Sequence, residues 1–269
     1  MFSFYKHHTR PAMNIIVKEN YLEMSKYTAN IIAKLVQKNS DCVLGLSTGS
    51  TPMGVYKELI KMHKEGLDFS GVKTFNLDEY LGVGKDLSKP YNMDQSYARF
   101  MYEEFFRHIN IKQENVHVPN GLAENTEKAC KSYEEEIVNA GGIELQMLGI
   151  GGDGHLAFNE PGSSFTSRTR VERLTEHTLN DNYEAFYKKA GIRKENMPHY
   201  VITMGVGTIL EARQIIMLAT GRKKAEIVAK AIEGKVGNEV TASAIQLYNG
   251  NATVILDSEA AAMLGKNNF

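Results

Sequence analysis

Two rhythms of apolar residues alternate along this chain. Short, mainly apolar runs fall at residues 14–17, 41–46, 72–77, 143–150, 199–204, 214–219, 244–248 and 253–256. Such runs are how strands buried on both faces of a parallel sheet read. Between them, apolar positions recur at helical spacing. Leu22, Tyr27, Ile31, Ile32 and Leu35 predict a helix over 21–37, and Tyr56, Leu59, Ile60 and His63 mark the inner face of one opening at Pro52. Further helices are predicted over 96–109, whose aromatic stripe reads as core, over 126–139, closed by Gly141-Gly142, and from Lys224 to Ile232. Short ones follow Gly205-Val206-Gly207-Thr208 and Ser258.

Strands alternating with helices predict an α/β fold: a single domain with a mostly parallel, Rossmann-like sheet and helices on both faces. Regular pattern begins at Met13, so residues 1–12 read as an extension and 13–269 as the domain. Residues 163–198 are Ser- and Thr-rich, then charged, with little apolar period; a stretch of that length reads as a mobile lid.

Composition narrows the function classes. The chain has 269 residues, 42% of them hydrophobic, and a formal net charge of −1, which gives no electrostatic case for nucleic acid or an anionic membrane. Cys42 and Cys130 form no CxxC pair and read as buried, reduced thiols of a cytoplasmic protein. Residues 1–11 have no apolar core of a signal peptide, and no apolar run is long enough to span a membrane.

The richest chemistry lies in 147–161, where Gly151, Gly152, Asp153, Gly154, His155 and Glu160 follow a strand. A histidine between carboxylates handles protons with its tautomer under control. Three plainer readings compete. Gly149-x-Gly151-x-x-Gly154 has dinucleotide-fingerprint spacing, but Asn159-Glu160-Pro161-Gly162 leaves no room for the helix that fingerprint needs. Asp153-x-His155 has no further His or Cys at metal-ligand spacing. A glycine turn holding one hydrogen-bonded histidine is the third.

Elsewhere, Ser47, Thr48, Gly49, Ser50 and Thr51 join a buried strand to a helix opening at Pro52, a natural anion site, or simply a turn capped by Ser50 or Thr51. Asp78 ends the strand over 72–77 as a base or a turn cap; Lys224, beside Arg222 and Lys223, is an anion partner or solvated charge. All of these leave strand C-termini and converge on one rim. A phosphate cradle, a separate carboxylate and a carboxylate-flanked histidine suit aldose–ketose isomerisation of a sugar phosphate. His155 serves ring opening, Asp78 serves proton transfer beside the carbonyl, and residues 48–51 with Lys224 hold phosphate. No metal or organic cofactor is required.

The segments Leu44-Gly45-Leu46-Ser47-Thr48-Gly49-Ser50-Thr51-Pro52, Phe75-Asn76-Leu77-Asp78-Glu79-Tyr80, Gly152-Asp153-Gly154-His155-Leu156-Ala157-Phe158-Asn159-Glu160-Pro161, Ser167-Arg168-Thr169-Arg170 and Gly205-Val206-Gly207-Thr208 closely resemble glucosamine-6-phosphate deaminases, in the same order. The resemblance implies conversion of an amino sugar phosphate, glucosamine 6-phosphate, with water to fructose 6-phosphate and ammonia. It implies that Asp78 moves the proton, that Asp153 and Glu160 set the state of a ring-opening His155, and that Thr48, Gly49, Ser50, Thr51 and Lys224 bind phosphate. The related 6-phosphogluconolactonases carry a different pattern after Asp-Gly-His, and Arg where Tyr80 stands. A non-catalytic sugar-phosphate sensor would carry an N-terminal helix-turn-helix, for which the 12 residues before the first strand leave no room.

Two departures matter. The family's lid carries Asn-x-Arg-Phe, whose Arg meets phosphate; here Asn182-Tyr183-Glu184-Ala185-Phe186 has no Arg. Lys188, Lys189 or Arg193 stands in, or the substrate is a relative such as galactosamine 6-phosphate. In allosteric members an Arg, a Lys and the amino terminus bind an effector; Arg170 matches the Arg, but Glu172 reverses the Lys. With no long C-terminal tail, the expectation is a non-allosteric monomer or small homo-oligomer.

Overall fold

The computed structural model describes residues 13–83 and 95–265; the expected extension over 1–12 lies outside them. In chain order the strands are β1 (Asn14–Lys18), β2 (Val43–Leu46), β3 (Lys73–Asn76), β4 (Asp78–Tyr80), β5 (Val116–His117), β6 (Leu145–Leu148), β7 (Arg170–Arg173), β8 (Tyr200–Thr203), β9 (Gln214–Ala219) and β10 (Asn251–Asp257). The helices are α1 (Tyr21–Lys38), α2 (Met53–Lys64), α3 (Tyr97–Glu104), α4 (Thr126–Asn139), α5 (Glu176–Asn182), α6 (Val206–Leu210) and α7 (Ala225–Ile232).

Seven strands form one sheet in the order β1-β10-β9-β6-β2-β3-β5, and every pairing in it is parallel. Strand side chains alternate between faces, so each strand feeds two cores. Leu44, Met147, Ile216, Leu218 and Ile255 point to one face, where Ile32 of α1, Leu59 of α2 and Met101 of α3 cover them. Val43, Leu148, Met217, Val254 and Leu256 point to the other, against Ile137 of α4, Ile209 of α6 and Val228 of α7. This is the expected α/β sheet with helices on both faces.

The second sheet is the departure. β4, β8 and β7 pair antiparallel, in the order β4-β8-β7, outside the main sheet. The chain leaves the main sheet after Asn76 and Asp78 opens this one, so the predicted strand over 72–77 ends before Asp78. The strand over 199–204 belongs here too. The segment expected as a lid is not structureless: it contains β7, α5 and one wide π turn, Tyr183–Tyr187. Its own small core gathers Tyr80, Tyr97, Phe158, Leu179, Tyr187 and Val201.

Three local expectations fail. Residues 244–248 are not a strand: Thr241–Leu247 is a 3-10 helix whose inner residues are buried against the sheet. A short apolar run does not by itself distinguish strand from buried helix, and here burial on one side decided it. The helix expected after Ser258 is a series of turns. The helix expected over 96–109 breaks at Phe105 into α3 and a 3-10 turn, Phe106–His108.

Candidate active site

The sheet order reverses direction beside β6, which lies between β9 and β2 although β2 and β6 are far apart in sequence. Ligands in open α/β sheets bind outside the strand carboxyl ends at such a switch. A cavity of about 330 Å³ opens there, and Thr48, Gly49, Ser50, Thr51, Asp78, His155 and Lys224 all line it. Asp153 and Glu160 stand behind His155 rather than on the wall.

The first wall is the loop between β2 and α2. Tyr56 Oη donates to Ser47 O at 2.5 Å and Tyr21 Oη donates to Ser50 O at 3.0 Å, so two tyrosines pin the loop backbone. Gly49 adopts φ +105°, a left-handed conformation that costs a side-chain-bearing residue strain. Pro52, not Ser50 or Thr51, takes the cap position of α2, without a side-chain cap bond. The hydroxyls of Thr48, Ser50 and Thr51 make no hydrogen bond among the described residues, so the loop presents free donors beside an open helix end. That is an anion cradle.

Asp78 forms the floor. It is buried, and burial first, then the neighbouring Glu79 charge, pushes its carboxyl up to about 8. Glu79 is the residue sequence reasoning passed over. Its carboxylate accepts from Tyr80 N at 2.9 Å, Ser96 Oγ at 2.7 Å, Tyr97 N at 3.0 Å and Ala98 N at 2.9 Å, caging the start of α3. Burial pushes its own pKa up and these donors oppose that rise. Glu79 thus fixes β4 while its charge discourages Asp78 from ionising. The acidic pair at this strand end was visible in the sequence, which gave a role to Asp78 alone; the task of Glu79 was not visible.

The third element is the turn after β6. His155 Nδ1 lies 2.7 Å from Asp153 Oδ1, off the ideal hydrogen-bond direction, and His155 N donates to the same carboxylate oxygen at 3.1 Å. Burial pushes Asp153 up, but the hydrogen bonds and charge of His155 outweigh it and hold the carboxyl at about 2. A Cβ on Gly151 would sit 2.4 Å from the His155 ring, so only glycine lets the imidazole lie flat on the backbone. Ala157 takes φ 53°, the one non-glycine in the left-handed region among the described residues, and backbone strain of that kind concentrates at functional sites. Asn159 ties the turn down, donating to Leu156 O at 2.8 Å and Met204 O at 2.9 Å. Glu160 is buried and accepts from Thr175 N and Thr175 Oγ1, both at 3.1 Å, which joins the turn to the start of α5.

Lys224 enters from the junction before α7. Its Nζ donates to Ile150 O at 2.9 Å, and burial lowers its pKa against the pull of the Asp181 and Asp153 carboxylates. The lid closes the remaining side with Thr178, Asp181, Asn182, Ala185 and Phe186. The 182–186 segment was singled out in the sequence only through its missing Arg, and nothing singled out Thr178 or Asp181, because α5 is one short helix without an apolar stripe. Asp153, His155 and Glu160 also have donor atoms within 4.8 Å of one another, near enough to surround a cation. The Glu160 carboxylate accepts from Thr175, and Asp153 Oδ1 accepts from His155 N.

A buried, proton-bearing carboxylate, a histidine backed by an ionised aspartate and an anion cradle define an acid/base enzyme of the α/β class acting on a small phosphorylated molecule. The profile of glucosamine-6-phosphate isomerases/6-phosphogluconolactonase matches residues 18–255. The chain belongs to that family. It is 49% identical over 253 residues to glucosamine-6-phosphate deaminase of Thermoanaerobacter sp. (strain X514), covering 94% of this chain and 95% of that one. A solved monomeric glucosamine-6-phosphate deaminase superposes with a TM-score of 0.87 at 39% identity, covering 93% of this chain and 100% of that one. The 6-phosphogluconolactonase from Trypanosoma cruzi, at 23% identity and TM-score 0.73 over 96% and 98% of the two chains, shares the fold. No helix among the described residues is long and apolar enough to cross a membrane.

Proposed function

We propose that this chain is a glucosamine-6-phosphate deaminase, converting glucosamine 6-phosphate and water to fructose 6-phosphate and ammonia. The observation that carries the reading is one cavity holding Asp78 with its carboxyl near 8, His155 against an ionised Asp153, and the open hydroxyl loop with Lys224. Thr48, Gly49, Ser50, Thr51 and Lys224 hold the phosphate. His155 moves a proton at the ring oxygen to open the sugar, with Asp153 and Glu160 setting its charge and place. Asp78, once deprotonated, takes the proton from the second carbon and returns it to the first. The second carbon becomes an iminium, water adds there, and ammonia leaves. Ring opening and the shift between the two carbons are proton transfers at these side chains; at the second carbon water forms the new C–O bond, its proton passes to the nitrogen, and the C–N bond breaks to release ammonia.

On this reading residues 13–269 act as one catalytic unit, with 163–198 as the lid. The protein works as a cytoplasmic monomer or small homo-oligomer. Arg170 is occupied internally, by Asn159 Oδ1 at 2.8 Å, Ser163 Oγ at 2.9 Å and the Glu172 carboxylate, which argues against an effector site there. Kinetics are therefore hyperbolic; sigmoidal curves relieved by N-acetylglucosamine 6-phosphate would refute that part.

The test is ammonia release by the purified protein with EDTA present, glucosamine 6-phosphate and galactosamine 6-phosphate side by side, with fructose 6-phosphate as the ketose expected from the first and its C4 epimer, tagatose 6-phosphate, from the second. Turnover of the first is expected. Turnover of the second alone moves the substrate and keeps the mechanism; silence on both overturns the reading.

A further inference from the structure

A second cavity of about 270 Å³ opens off the first, sharing Gly49, Tyr97, Ala185 and Phe186 with it and adding Lys189. Among the described residues lining the two cavities, Lys224 and Lys189 are the only lysines, and there is no arginine. Their circumstances differ. The Lys224 charge is already shared: its Nζ is held by Ile150 O at 2.9 Å and sits in the field of Asp181 and Asp153. Lys189 makes no ion pair or hydrogen bond among the described residues. The adjacent Lys188 is spent on Glu184, whose carboxylate oxygens lie 3.1 and 2.9 Å from its Nζ.

The backbone bears on which lysine borders the cavity. After α5 the chain widens into a π turn, Tyr183–Tyr187, with Lys188 N donating to Tyr183 O at 2.9 Å. Such a turn inserts one residue and shifts the faces of everything after it. Tyr187 is driven into the lid core, edge-on to Tyr80 at a centroid distance of 6.1 Å. With Tyr187 as anchor, Lys188 pairs with Glu184, while Lys189, though exposed, lines the second cavity together with Gly49. A phosphate dianion in the 47–52 loop carries two charges, and the single, already shared Lys224 leaves one uncompensated.

We propose that Lys189 is a substrate-binding residue: its ammonium reaches the phosphomonoester from the lid side and clamps it against the Gly49 loop. This rests on that loop holding the phosphate. Charge-assisted contacts to phosphate are strong, and one made from the lid couples closure to the anionic end of the substrate.

The experiment compares Lys189→Ala, Lys189→Arg and Lys188→Ala with the parent protein in the ammonia-release assay, whose turnover by the parent stands as the control on the function itself. For Lys189→Ala, KM and the inhibition constant of fructose 6-phosphate rise together by about tenfold or more, while kcat stays within about threefold. Lys189→Arg recovers most of the loss, and Lys188→Ala stays within about twofold of the parent. Melting temperatures without ligand are equal across the set, and the upward shift given by fructose 6-phosphate shrinks only in Lys189→Ala. Unchanged KM and inhibition constant in Lys189→Ala, or an equal effect in Lys188→Ala, would overturn the proposal.

Discussion

The two walls of the cavity are built by different means. The sheet wall places His155 and the 47–52 loop beyond the ends of strands packed on both faces, with Asp78 at the point where the chain passes from β3 into β4, and there burial does the chemical work: Asp78 is pushed up to about 8 because almost no water reaches it. The lid wall rests on a three-stranded antiparallel sheet, one short helix and a small aromatic core, tied down by polar contacts. Glu134 is its chief tether. It accepts from Thr169 N at 2.7 Å and Thr208 Oγ1 at 2.6 Å and pairs with Arg168, which also reaches Glu211 Oε1 at 2.6 Å. Burial would push Glu134 up, but these donors outweigh it and lower its carboxyl pKa. The difference teaches where each property resides. On the proposed reading, proton chemistry and the phosphate loop both belong to the sheet wall, where a dry environment is held, and the other wall closes over the substrate with polar contacts that can exchange with a ligand's.

Substitutions sharpen this division in descending order of effect. Asp78→Asn removes the proton carrier and keeps the shape, so kcat falls by about a thousandfold with little change in the binding of fructose 6-phosphate. The same variant has a stability signature. Folded Asp78 keeps its proton to about pH 8, while the unfolded group loses it near 3.8, so its contribution to stability is full below 3.8 and lost as pH rises through about 8. The stability of Asp78→Asn relative to the parent therefore climbs between those values, as denaturant melts at several pH values would measure.

Asp153→Asn leaves His155 without its ionised neighbour and lowers kcat by about a hundredfold. Here the sign is reversed: Asp153 is held at about 2, so its stabilisation is present above 3.8 and fades as pH falls through about 2. Acid melts of the variant should lack that last loss.

Gly49→Ala tests the cradle. The site has room for a Cβ, but φ +105° is strained for alanine by about 1–2 kcal/mol, which lowers the melting temperature by a few degrees and raises KM more than it changes kcat. Smallest is Glu134→Gln, which loosens the lid tether: cleavage within 174–197 by a probing protease speeds up while kcat stays within about threefold. A larger kcat loss there than in Asp153→Asn would erase the division between the walls.

The two walls were also unequally legible in the sequence. The main sheet could be read because buried parallel strands are apolar without interruption and their helices are periodic; α4 spans the predicted 126–139. The small sheet could not. β4 is three residues long, and its partner β8 lies more than a hundred residues away, so neither carries a local signal of pairing. The site follows the same rule. His155 and the 47–52 loop stand in compact motifs that glycine and proline punctuate, and Asp78 follows directly on an apolar strand signal. Glu79 looked like half of an acidic pair until the cage of donors from α3 gave it a role. Asp181 and Thr178 reach the cavity only because Thr175 binds Glu160 and so sets where α5 starts. Such contacts belong to the assembled fold, and no window of sequence contains them.

The claim on which everything else depends is that the sheet wall keeps Asp78 protonated near neutrality. The carboxyl carbon resonance of Asp78, assigned by its absence from Asp78→Asn in protein carrying 13C-labelled aspartate, can be followed from about pH 4 to about pH 10. A midpoint near 8 is the expected result. A midpoint near the ordinary aspartate value of 3.8 would mean that water reaches the carboxylate and that the wall does not hold the proton.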